Sequence, residues 1–243
     1  MFDDKVYFEK VNGKKVFCVL SESQIKENKI VIMSHGFRAS SIGPAGTFVD
    51  FQRLLNNSGY SVLRFDQPNS GNSEGDYLET SYNEWVDTIV YFASKYLNLN
   101  YKVALLGQSM GGAATVIATS RPELIDRIPC VLLWVPGVNE GDFNGNPEEV
   151  FEEGGQKYKS KFWMEVREAD FFKCVDRYAG GIHLVYGEND RYISLDLRNR
   201  VIEVIKSKKQ PYVVLEGQVH SPWNYDSCQY VYTEELKFLD KYL

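Results

Sequence analysis

The segment Lys102–Ser120, KVALLGQSMGGAATVIATS, decides how this chain is to be read. It begins as a nearly continuous apolar run, stops at a serine set between glycines, and resumes as a run of small residues. The serine is Ser109, at the centre of Gly107-Gln108-Ser109-Met110-Gly111. Whether this is a catalytic turn or a tight connection that contains a hydroxyl depends on what surrounds it.

Outward from that segment, the runs KIVIMSHG, SVLRFD, KVALLG, CVLLWVP, IHLVYG and YVVLEG are short and apolar, and each ends in a polar or glycine-rich turn. That is the pattern of strands buried on both faces of a parallel sheet. Amphipathic stretches at Thr47 to Asn57, Tyr82 to Leu97, Gly111 to Ser120, Leu195 to Lys206 and Asp226 to Tyr242 predict helices between and after them. Alternating strand and helix implies right-handed crossovers in a doubly wound α/β sandwich, with ligands outside the carboxyl ends of the strands. The N-terminus differs: VYFEKVNGKKVFCVL places two β-favouring runs around Asn12-Gly13, which predicts an antiparallel hairpin.

Composition narrows the function. A chain of 243 residues that is 44% hydrophobic suits one domain with one large core. A net charge of −6 with scattered Lys and Arg offers no field for a phosphate backbone, so no nucleic acid partner is expected. No apolar run reaches the roughly 18 to 20 residues of a membrane span. MFDDKVYFEK is not a charged region followed by an apolar one, so a cytoplasmic protein is expected. Cys18, Cys130, Cys174 and Cys228 lie far apart, which suggests neither a zinc site nor a disulfide framework. The segment from Val138 to about Glu168 exceeds an ordinary connection and reads as an insertion. Phe143, Phe151, Tyr158, Phe162 and Trp163 among its charges predict short amphipathic helices folded over a surface, as a lid.

In this setting G-x-S-x-G reads as a nucleophile elbow: glycines let the chain turn sharply and hold the hydroxyl at the head of a helix. Gly112, Ala113 and Ala114 are small enough for that helix to pack close to neighbouring strands. A serine nucleophile needs a base, and the base an orienting carboxylate. Of three histidines, His183 starts a strand at the far end of the sheet, and His35 in MSHGF lies too near the oxyanion position to serve easily as the base. His220, in the loop after the last strand, remains. For the carboxylate, Asp190 in LVYGENDRYIS is favoured and Glu188 is the close rival.

Taken together, HGF at 35–37, FDQPNSGNSEG at 65–75, GQSMGG, GENDRYI and EGQVHSP resemble the motifs of the α/β-hydrolases. The layout is similar to small bacterial cinnamoyl and feruloyl esterases and to monoacylglycerol-lipase-like carboxylesterases. The chain departs from the family pattern at Pro68 and Asn69, where Arg and Gly are usual. The resemblance implies an α/β-hydrolase fold: a mostly parallel eight-stranded doubly wound sheet, an N-terminal antiparallel hairpin and a short lid insertion at about 138–168. It assigns Ser109 as nucleophile, His220 as base and then acid, Asp190 as orienter, and the N–H groups of Phe37 and Met110 as the oxyanion hole. Phe162 and Trp163 are the lid residues expected at the substrate. No cofactor or metal is expected.

The expected partner is a small-molecule ester with an apolar or aromatic acyl group, and the reading leaves a homodimer open. The same triad also serves thioesterases, serine peptidases and acyl-aminoacyl hydrolases, and a binding protein of this fold without turnover is the reading from another class. Glu148, Glu149, Glu152 and Glu153 could hold a substrate amine.

Overall fold

Asn12 and Gly13 both take positive φ, 47° and 91°, and close a two-residue turn of the kind the dipeptide predicts. β1 (Asp4–Val11) and β2 (Lys14–Ser21) pair antiparallel across it, with Val11 opposite Lys14. The computed structural model describes residues 4–25, 27–138 and 145–243.

The chain continues through β3 (Lys29–Ser34), α1 (Thr47–Asn57), β4 (Ser61–Phe65), α2 (Tyr82–Asn98), β5 (Lys102–Gln108), α3 (Met110–Thr119) and β6 (Cys130–Trp134). A small hairpin follows, β7 (Val150–Glu153) and β8 (Gln156–Lys159), then α4 (Lys161–Glu168) and α5 (Phe171–Arg177). The last elements are β9 (Gly181–Gly187), α6 (Leu195–Ser207), β10 (Tyr212–Leu215) and α7 (Tyr225–Tyr242). Eight strands form one sheet in the order β1-β2-β4-β3-β5-β6-β9-β10. β2 is antiparallel to both of its neighbours, and all pairs from β4 to β10 are parallel. β4, β6 and β9 are buried along their whole length, which explains why their sequences are apolar runs rather than alternations. Among the described residues no helix is long and apolar enough to cross a membrane.

The insertion differs from its expected form. Where short amphipathic helices are predicted, the described residues form a two-stranded hairpin followed by one helix of eight residues, α4. Gly154 and Gly155, both at positive φ, supply its two-residue turn, and Phe151 stacks on Tyr158 directly across the ladder. The charges that resemble a helix face pair across the strands, Glu152 opposite Lys157. Phe143 lies outside the described residues. The short helix α5 is not legible as an amphipathic period; Asp170 caps it by accepting from the Lys173 N–H.

The centre of the sheet carries a close backbone contact. A Cβ on Gly111, in the first turn of α3, would lie 2.3 Å from the His35 carbonyl oxygen and 2.4 Å from that of Ser34. A Cβ on Gly107 would lie 2.3 Å from the Gly111 carbonyl oxygen. These neighbours are backbone and cannot swing aside, so the small residues of the motif set how closely α3 sits on β3 and β5. Gly111→Ala is expected to destabilise the fold by about 1 to 3 kcal/mol, the usual cost of overpacking, as a lower urea midpoint at unchanged slope. An unchanged midpoint would show that the contact is not limiting.

Candidate active site

Ser109 follows β5 directly and precedes α3, with φ 55° and ψ −125°, a conformation that side-chain-bearing residues rarely adopt. Its N–H donates to the Trp134 carbonyl at the end of β6 (2.8 Å), and its carbonyl accepts from Gly137 (2.9 Å) and Gly112 (2.9 Å). The strained residue is therefore bonded on both sides to neighbouring elements. Gly36 lies opposite, where a Cβ would be 2.8 Å from the Ser109 Cβ, so the loop after β3 approaches the serine as only glycine allows.

The loops after β9 and β10 bring up the other two side chains. His220 Nδ1 lies 2.7 Å from Asp190 Oδ2, and His220 Nε2 lies 3.0 Å from Ser109 Oγ. A carboxylate on Nδ1 sets the tautomer: Nδ1–H donates to Asp190, which leaves Nε2 to accept from the serine hydroxyl. Asp190 Oδ1 accepts the N–H groups of Tyr192 (2.8 Å) and Ile193 (3.0 Å). Burial alone would raise the Asp190 pKa, but the hydrogen bond and charge of His220 and the two backbone donors outweigh it and hold the carboxyl below its ordinary value. Glu188 faces elsewhere: its Oε2 accepts from Gly217 N–H (2.8 Å). A Cβ on Gly187 would lie 2.1 Å from the Val219 carbonyl oxygen, so the glycine ending β9 is what lets the histidine loop close over the acid loop.

His35 is fully buried as a brace. Its Nε2 accepts the Gln67 N–H (2.8 Å), and Nδ1 donates to the Gly36 carbonyl (2.8 Å), tying the loop after β3 to that after β4. Burial lowers its pKa, in keeping with a neutral ring. His183 is buried beside Glu235 of α7, with Nδ1 3.2 Å from Oε1. Asn69 takes φ 65°, as its short polar side chain tolerates, and its amide donates to the Glu79 carbonyl (3.1 Å) and to Glu84 (3.2 Å). It thus braces the loop where the usual family pattern has a glycine.

A cavity of about 680 Å³ opens over Ser109 and His220, with Phe37, Met110, Gly71 and Val138 on its walls. Met110 is the first residue of α3, where the N–H has no partner within the helix, and Phe37 follows the glycine that touches the serine. From the insertion, Trp163, Glu153 and Gln156 line the cavity. Phe162 does not. It is fully buried among Phe37, Tyr82, Trp85 and Trp163, so helical phase turns one aromatic inward and its neighbour to the cavity. The sequence reading missed Arg38 and Tyr192, which also line it. The signal for both was adjacency: Arg38 follows the oxyanion candidate, and Tyr192 lies two residues beyond the acid, its ring 5.2 Å from that of His220. A second cavity, of about 340 Å³ around Thr119, Ile128 and Tyr178, contains no histidine. Among the described residues no cluster of three or more His, Cys, Asp or Glu side chains is placed to hold a metal ion.

Comparison with known proteins agrees with this layout. Est1E from Butyrivibrio proteoclasticus, with ferulic acid bound, superposes with a TM-score of 0.84 at 20% identity, over 97% of this chain and 98% of that one. This is the α/β-hydrolase fold. A soluble variant of monoglyceride lipase from Saccharomyces cerevisiae, in complex with a substrate analog, shares it with a TM-score of 0.81 at 14% identity, over 99% of this chain and 97% of that one. Monoacylglycerol lipase from Paleococcus ferrophilus does so with a TM-score of 0.74 at 19% identity, over 94% and 99%. Residues 25–139 match the family model described as serine aminopeptidase, S33. No match was found among curated protein sequences. Within the hydrolase fold, Ser109, Asp190 and His220 come from the ends of β5, β9 and β10, the chain order this architecture uses.

The depressed Asp190 pKa has a sign. Its contribution to stability is complete above the unfolded value of about 3.9 and is lost as pH falls through the lower folded value. Urea unfolding of wild type and Asp190→Asn between pH 5 and 2 is therefore expected to show a stability difference that shrinks on acidification. A difference that grows with acid would contradict the bonding described.

Proposed function

We propose that this protein is a serine hydrolase that cleaves carboxylic esters through an acyl-enzyme. The observation that carries the reading is the continuous chain from Ser109 Oγ to His220 Nε2 (3.0 Å) and from His220 Nδ1 to Asp190 Oδ2 (2.7 Å) at the floor of a cavity. His220 takes the hydroxyl proton as Ser109 Oγ attacks the ester carbonyl, and Asp190 stabilises the imidazolium. The oxyanion is held by the N–H groups of Phe37 and Met110, worth a few kcal/mol for each well-aimed donor. Collapse of the tetrahedral intermediate transfers the proton from His220 to the departing alcohol and leaves an acyl-serine. Water, activated by the same histidine, then releases the acid.

The cavity has room for an aromatic acyl group and one apolar side to receive it, beside polar walls that include Arg38, Glu153 and Gln156. Phe37, Trp163 and Val138 offer apolar surface within a volume that accommodates a drug-sized ligand. The bound ferulic acid of Est1E and the lipase identity of two neighbours support the same class. The described hairpin and α4 act as the lid of a single hydrolase domain. The peptidase reading, drawn from the matched family description, would use a free carboxylate for a substrate amine. Glu153, which lines the cavity, is instead engaged by Arg38 (2.6 Å), and Glu148 by Lys159 (2.8 Å).

Turnover of p-nitrophenyl acetate and of a hydroxycinnamate ester tests the proposal. Asp190→Asn is expected to lower kcat by about 10⁴-fold and Glu188→Gln by less than about threefold; the reverse ranking would reassign the carboxylate. Trp163→Ala should reduce kcat/KM on the cinnamate by about 5- to 150-fold more than on the acetate, which reports only the ring's packing on Phe37. Phe162→Ala, from its buried position, should instead lose about 3 to 5 kcal/mol of stability and affect both esters alike. Selective loss on the cinnamate in the Phe162 variant would place that ring at the substrate after all.

A further inference from the structure

The insertion does more than roof the cavity: it grips the loop that carries the candidate oxyanion donor. The Phe37 ring is packed by Tyr77 (centroids 5.4 Å apart), Tyr158 of β8 (5.0 Å), and Phe162 (4.8 Å) and Trp163 (5.1 Å) of α4. The next residue, Arg38, has φ 56°, a left-handed conformation without the freedom of a glycine. Its backbone N–H donates to the Tyr77 hydroxyl at 2.8 Å. Its guanidinium reaches across the cavity wall to the carboxylate of Glu153, at the end of β7, at 2.6 Å. The guanidinium also lies against the hairpin turn, where a Cβ on Gly154 would be 2.1 Å from Nη1. The Arg38 side chain is 25% exposed and Glu153 46%, so the pair is partly shielded. Surface ion pairs contribute little to stability, and the position of this one, one residue from Phe37, points to a local task.

We propose that Arg38 and Glu153 are positioning residues for the oxyanion hole: their ion pair ties the hairpin to the loop after β3 and so keeps the Phe37 N–H aimed at the carbonyl attacked by Ser109. This inference rests on the serine-hydrolase reading above. The Phe37 N–H acts only if the backbone from Gly36 to Arg38 stays in one arrangement, and nothing in the left-handed Arg38 favours that arrangement intrinsically. The ring packing fixes Phe37 from its side chain, the bond to Tyr77 fixes the peptide that follows, and Glu153 fixes the far end of Arg38. An oxyanion donor misplaced by a fraction of its hydrogen-bond length loses its preference for the transition state while ground-state binding is little altered. The effect therefore belongs in kcat.

The test uses p-nitrophenyl acetate, too small to depend on the hairpin for binding, with the full-length protein. Glu153→Ala and Arg38→Met are expected to lower kcat by about 10- to 100-fold, short of the 10²- to 10³-fold loss of a whole donor, with KM within about twofold. Inhibition by a trifluoromethyl ketone, which forms a tetrahedral oxyanion on the serine, should weaken by the same factor as kcat. The double variant Arg38→Glu with Glu153→Arg restores an ion pair of reversed sense and should recover at least about fivefold over either single charge-reversal variant, with thermal midpoints checking that each variant is folded. Single variants at wild-type kcat, a loss confined to KM, or loss without recovery in a folded double variant would each overturn the positioning role while leaving the hydrolase reading intact. Wild-type protein without turnover that depends on Ser109 would overturn both.

Discussion

Everything in the site depends on how closely two backbones approach at the centre of the sheet. The first turn of α3 rests on the carbonyls of Ser34 and His35 at a separation that leaves no room for a side chain at Gly111, and Gly36 meets Ser109 in the same way from the opposite loop. That proximity holds Ser109 in a conformation unfavourable for an L-residue, with its N–H and carbonyl both bonded to the end of β6 and the loop beyond. The strain is local, and the surrounding parallel strands over-determine it. The hydroxyl is thereby presented at the head of α3, beside the free N–H of Met110, before any substrate arrives.

His220 and Asp190 are held by a second close approach. Gly187 lets the Val219 carbonyl pass within a distance that a Cβ would block, and the Asn189 N–H donates to Gln218 (2.7 Å). Arg198 of α6 caps the carbonyls of Gly187 (2.8 Å) and Glu188 (2.7 Å), so the acid loop is fastened to the helix that follows it. Beneath Ser109 and His220, Trp134 bonds the Ser109 N–H through its carbonyl and Glu235 through its indole N–H (2.7 Å), and packs on Trp223 in the histidine loop. Burial raises the Glu235 pKa, while His183 and Trp134 act in the opposite direction. A single tryptophan thus links Ser109, the loop that carries His220 and the closing helix α7.

How much of this was legible follows from the range over which each signal acts. The central strands were readable as short apolar runs bounded by turns because both their faces are buried, and α1, α2, α6 and α7 because one buried stripe writes a period into the local sequence. Helix α3, expected as amphipathic, is instead buried at every residue and was marked by the glycine-flanked serine before it and its small residues. Ser109, Asp190 and His220 were readable as candidates because each lies just past the end of a strand in a turn with its own glycine or proline. The hairpin at 150–159 was not, since charged cross-strand pairs on an exposed ribbon imitate the polar face of a helix, and the Gly154-Gly155 turn was the overlooked signal. The opposite fates of Phe162 and Trp163 depend on the angle at which α4 meets Phe37 and Trp85, which no local pattern records. The Arg38–Glu153 pair joins residues 115 positions apart, and a single sequence contains no sign of that pairing.

The central claim is that Ser109 is a nucleophile activated by His220. Incubation with a fluorophosphonate, followed by intact-mass measurement and peptide mapping, tests it directly. The account predicts one stoichiometric phosphonyl adduct, on the peptide containing Ser109, formed by wild type and lost or slowed by about 10³-fold or more in His220→Ala. An adduct on another serine, or labelling of Ser109 at the same rate without His220, would contradict it.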